Sequence, residues 1–208
     1  MTYLAVKLTI LAFVAIAAGV RAVRAAQHRA AVRAKMLAAP ATFEDNAVVT
    51  LTGTAKLVGE PLTAPLSGKP CIAFRATART FKNLRTPRRI AMIDQEISEE
   101  RMTSFVLTTK DGEVIVDGDV CELPIRSAPI IPRKLDRERE FMTRVELAGD
   151  IHTAGFDEVV IPDGAKIMVH GVARKELATD GGETNFREAP TKIRMTSDGA
   201  HLITIDFA

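Results

Sequence analysis

The sequence predicts a mostly β fold, an OB-like small barrel or sandwich with one inserted helix, preceded by an N-terminal transmembrane helix. Three observations carry that reading. Tyr3–Val20 is a single apolar run; beyond Pro40 the chain alternates apolar and polar residues in short β-branched segments; and one charged segment, Arg133–Leu147, has helical spacing instead. The division that follows is a membrane anchor over 1–20, a basic helical stalk over 21–40 and a β-rich domain over 41–208.

The apolar run reads YLAVKLTILAFVAIAAGV, with Lys7 its one charge. It is close to the roughly 20 apolar residues a helix needs to cross about 30 Å of hydrocarbon. Lys7 stands near the start, where its long stem can carry the ammonium to the interface. A cleaved signal peptide would place positive charge ahead of the run and small residues at a cleavage site behind it. Here Arg21, Arg24, Arg29, Arg33 and Lys35 follow the run, and positive charge there opposes translocation of what comes next. A soluble core helix would show a polar stripe, which the run lacks. The reading is therefore a retained single-pass anchor with the C-terminal domain on the cytoplasmic side. The Ala-rich basic segment has strong helix propensity, should end before Pro40, and offers its arginines to anionic head groups.

The body of the chain follows in order. Asn46–Leu57 (NAVVTLTGTAKL) and Cys71–Phe81 (CIAFRATARTF) alternate as half-buried strands do. Ser104–Thr109 and Glu113–Val116 flank Lys110-Asp111-Gly112, and an Asp-Gly pair supports the positive φ of a tight hairpin turn. Asp117-Gly118-Asp119 turns into Val120–Leu123. Lys166–Val172, Lys192–Met195 and Leu202–Phe207 are strand-like, the last two expected to form a second Asp-Gly hairpin through Ser197-Asp198-Gly199. In Arg133–Leu147 the residues Leu135, Phe141, Met142 and Val145 give a helix a partial apolar face. Ala178–Glu188 is Gly-rich and polar, an exposed loop. Short strands, Gly turns and one helix fit a small barrel or sandwich.

Composition narrows the chemistry. The 208 residues suit one domain and an appendage. With 5% aromatics, no Trp and one Tyr, the chain is poorly equipped to stack on bases, and a net charge of +2 gives no global attraction to nucleic acid. No nucleic-acid partner is expected. Two cysteines, Cys71 and Cys121, cannot make a four-thiolate zinc site and belong to no CxxC pair; they read as small buried residues, or as one disulfide. His28, His152, His170 and His201 are scattered without H-x-x-H or HExxH spacing, so no metal site is assigned. There is no GxSxG, no GK[ST] and no GxGxxG after a strand. No catalytic residue and no cofactor are assigned either. A thiol nucleophile built from Cys71 or Cys121 with a distant histidine stays open, since such partners need not be neighbours in sequence. The basic run Arg85-Thr86-Pro87-Arg88-Arg89 reads as a solvated loop that could touch anionic lipid near a bilayer.

One stretch resembles a known family. Ala64-Pro65-Leu66-Ser67-Gly68, then Cys71 and Phe74, is similar to the start of the GIDE domain, also called BAM for "beside a membrane". That domain occurs in the membrane-anchored mitochondrial ubiquitin ligases and their prokaryotic relatives. Two further matches come in the same order: Phe105–Val116 with its Asp-Gly turn, and Glu158-Val159-Val160-Ile161-Pro162-Asp163-Gly164 followed by Val169-His170-Gly171-Val172-Ala173. Together they span roughly residues 45 to 175. Physically these residues suit turn and core roles: Pro65 and Gly68 frame a turn and Ser67 caps it. The ligases carry a RING, which needs eight Cys/His zinc ligands; this sequence has two cysteines and no CxxC, so ligase activity is not carried over. What the resemblance implies is an anchored β domain that senses or interacts beside the bilayer.

The functional expectation is a non-enzymatic, membrane-anchored interaction or sensing module, with membrane lipids met through the anchor and stalk and an unidentified protein partner. A membrane-tethered enzyme with an unrecognised site and a structural envelope component are the alternatives.

Overall fold

A computed structural model describes residues 27, 30–39, 41, 43–83, 91–118, 121–123, 134–177, 191–197 and 202–208. The expected span at Tyr3–Val20 lies outside the described residues. So do Arg21, Arg24 and Arg29, the run at 85–89, the loop at 178–188, His28 and His201. The chain divides into two compact units, Met1–Ala39 and Pro40–Ala208.

In the first unit residues 30–38 are helical (α1), with Arg33 and Lys35 exposed, and the helix stops before Pro40. Among the described residues no helix is long and apolar enough to cross a membrane.

The second unit holds twelve described strands. In chain order they are β1 (Ala47–Leu57), β2 (Leu62–Thr63), β3 (Pro70–Cys71), β4 (Ala73–Asn83), β5 (Ala91–Met102) and β6 (Phe105–Thr109). Then come β7 (Gly112–Val116), β8 (Cys121–Glu122), β9 (Gly155–Ile161), β10 (Lys166–Leu177), β11 (Thr191–Thr196) and β12 (Ile203–Phe207). Helix α2 (Leu135–Arg144) lies between β8 and β9.

Five strands close on themselves in the order β1-β6-β7-β11-β10, with β10 pairing back onto β1. Every pairing in this barrel is antiparallel except that of β7 with β11. Period-2 alternation explains why the barrel forms: Val49, Leu51 and Ala55 of β1, Leu107 of β6, Val114 of β7 and Val169 of β10 all enter one buried cluster. Gly53 permits a close approach in the wall, because a Cβ there would stand 2.4 Å from the carbonyl oxygen of Thr108. The Asp-Gly hairpin forms as expected, with Thr109 paired to Gly112 and the Thr109 hydroxyl donating to the Gly112 carbonyl at 2.8 Å.

The second expected hairpin does not form. β11 and β12 never pair with each other; both run antiparallel to β10 along the same edge, β11 over 172–177 and β12 over 167–170. They therefore run in the same direction, end to end. The reason is that each has a different second neighbour: β11 turns into the barrel against β7, while β12 leaves it to pair with β8.

A separate three-stranded sheet, β5-β4-β9, combines β4 and β5 of the β1–β6 connection with β9, which follows α2. Sequence alternation shows β4, but β5 (AMIDQEISEERM) is too charged to read as a strand. It forms because its carboxylates pair across the sheet, Glu100 with Arg75 at 3.0 Å and Glu96 with Arg79 at 2.9 Å. The register steps from Thr80↔Gln95 to Phe81↔Ile93, which leaves exposed Asp94 as the extra residue of a bulge. One face of this sheet packs on α2 through Phe74, Ala76 and Ala78 against Phe141 and Met142. The buried stripe of α2 is Glu138, Phe141 and Met142; Leu135, expected on it, is 41% exposed.

Candidate functional site

The family-like motif folds into the turn between β2 and β3. The Ala64 N–H donates to the Lys69 carbonyl at 2.9 Å, and the Gly68 N–H donates to the Ala64 carbonyl at 2.8 Å. The Ser67 hydroxyl accepts the Lys69 N–H at 3.3 Å, the capping role its position suggests. Gly68 has φ +73°, which glycine adopts without steric cost.

Beneath this turn sits Glu158 of β9, 2% exposed. Its Oε1 accepts the Leu66 N–H at 2.7 Å and its Oε2 accepts the Ser67 N–H at 2.9 Å. Charge-assisted bonds of this kind satisfy a carboxylate that burial would otherwise make costly. Above the turn lie two cations of the α2 region. Lys134 donates to the Ser67 carbonyl at 2.8 Å, and the Arg137 guanidinium stands where a Cβ on Gly68 would lie 2.5 Å from its Cζ. Two amides side by side are an anion-binding arrangement, and here the chain's own Glu158 fills it.

Cys71 closes the same unit. It is 2% exposed, and its thiol donates to the Leu62 carbonyl at 3.6 Å. Burial, with the Glu158 charge adding to it, pushes the Cys71 thiol up to about 11. Cys121 sits beside the barrel core, and burial, aided by Glu100, pushes its thiol up to about 12. Both cysteines are free. A thiol so raised stays protonated at neutral pH and is a poor nucleophile.

The described histidines are His152 and His170. His170, on β10 and 5% exposed, shares a hydrogen bond of 2.9 Å between its Nδ1 and the Thr50 hydroxyl. Directly opposite on its other side is Thr204 of β12, and opposite Thr204 is Glu122 of β8. Thr50, His170, Thr204 and Glu122 thus form one polar row across four neighbouring strands, with Thr50 at 7% and Thr204 at 6% exposure. Cys121 is one residue out of register with this row and packs on the barrel core instead. His152 is exposed, in a turn where its N–H donates to the Asp150 carboxylate at 3.0 Å. Among the described residues no group of His, Cys, Asp and Glu is arranged to hold a metal ion.

A third polar cluster joins the two sheets. Arg75 donates to the Leu123 carbonyl at 3.1 Å while pairing with Glu100, and the Leu123 N–H hydrogen-bonds Glu100. The ion pair therefore grips both backbone groups of Leu123. Burial pushes the Glu100 carboxyl above its usual range; Arg75 and the Leu123 N–H oppose the rise and Glu122 adds to it.

Sequence reading selects Ser67, Gly68 and Cys71 as turn and core residues and misses Glu158 as their partner. The signal for Glu158 is an acidic residue followed directly by Val159-Val160-Ile161, where strand alternation puts one face in the core. Comparison with known proteins gives no neighbour: no family model, no curated protein and no solved structure matches the chain.

Proposed function

We propose that this chain is a membrane-anchored, non-enzymatic interaction or sensing module, its β domain of the GIDE/BAM type and held beside the bilayer on the cytoplasmic side. The observation that carries the reading is the pair of hydrogen bonds that the Glu158 carboxylate accepts from the Leu66 and Ser67 amides. It joins the first and third of the segments that resemble the family, so the resemblance falls on one physical unit. A closed five-stranded barrel with a helix between its third and fourth strands also fits the OB-like reading. The anchor rests on Tyr3–Val20, and the orientation on the five cations that follow it.

The non-enzymatic part is supported by the chemistry of the nucleophile candidates. Cys71 and Cys121 are held protonated, and His170 is engaged with Thr50. Anionic lipids meet the anchor and the basic stalk, a protein partner meets the β domain, and nucleic acid is not a partner. The test is crosslinking of the full-length chain in native membranes, with turnover screens on the detergent-purified protein. Saturable capture of one protein partner without turnover is expected. Robust turnover that disappears on changing His170, Cys71 or Cys121 would overturn the reading.

A further inference from the structure

No further inference is drawn: the strongest candidate, the polar row of Thr50, His170, Thr204 and Glu122 across β1, β10, β12 and β8, carries nothing because nothing described at it points to a ligand.

Discussion

The Glu158 carboxylate accepts the Ser67 amide at 2.9 Å across 91 positions of chain, tying strand β9 to the turn between β2 and β3. With its other oxygen on Leu66, it is the only described contact of its kind that reaches two successive amides of that turn.

Glu158→Ala removes the acceptor of two buried amides at once. Leaving buried donors unmet costs about 1–3 kcal/mol for each group, so a loss of about 2–6 kcal/mol is expected in urea unfolding. Glu158→Gln keeps one oxygen as acceptor but turns an NH2 toward an amide donor, and should fall between. If Glu158→Ala unfolds at the parent midpoint, the carboxylate does not hold the turn.

Gly68→Ala strains a position at φ +73° and drives a methyl into the Arg137 guanidinium. The left-handed backbone alone costs an L-residue about 1–2 kcal/mol. Adding Arg137→Ala should recover the steric part and leave the backbone part, which a double-mutant cycle separates. Full recovery in the double variant would show that φ carries no strain there.

The two thiols set an alkaline limit. Their ordinary value is 9.0, and burial raises Cys71 to about 11 and Cys121 to about 12. A raised folded-state pKa gives stability that is complete below the unfolded value and is lost as pH climbs through the folded one. Stability should therefore hold near pH 8 and decline from pH 9 toward 12. The decline should be shallower in a chain carrying Cys71→Ala and Cys121→Ala. At pH 8 iodoacetamide should modify the folded protein slowly and the denatured protein fast; equal rates would contradict the burial of both thiols.

Thr50→Val keeps the side-chain shape and deletes the hydroxyl facing His170 Nδ1. The expected loss is about 1 kcal/mol in urea unfolding, the ordinary net worth of one hydrogen bond. An unchanged midpoint would mean that the Thr50–His170 bond contributes nothing.

Asp94 is an exposed charge in a bulge on edge strand β5, two devices that blunt edge-to-edge pairing. Asp94→Val should raise self-association in sedimentation velocity while leaving the unfolding midpoint within about 0.5 kcal/mol, as surface changes usually do. A variant as monodisperse as the parent would remove that role from Asp94.

What could be read in advance depended on whether local pattern or distant partners decide an element. Val49, Leu51 and Ala55 alternate with threonines, and Asp111-Gly112 marks its own turn, so β1 and the β6–β7 hairpin are legible from neighbours alone. β5 is not, because Glu96 and Glu100 become strand residues only once Arg79 and Arg75 lie opposite. The hairpin expected between β11 and β12 fails for a similar reason: β7 and β8 compete for their edges, and neither is close in sequence. In α2 the apolar spacing points to Leu135, yet Glu138 is buried at 4% and Leu135 is not. At the turn, Ser67 and Gly68 announce themselves by residue type, whereas Glu158 is a lone acid until the fold sets it under two amides.

The proposed function requires the anchor as well as the β domain, and alkaline carbonate extraction of membranes bearing the full-length chain tests that anchor most directly. The expected result is that the full-length chain stays with the membrane pellet while a chain starting at Ala41 is released. Release of the full-length chain into the carbonate supernatant would contradict the account.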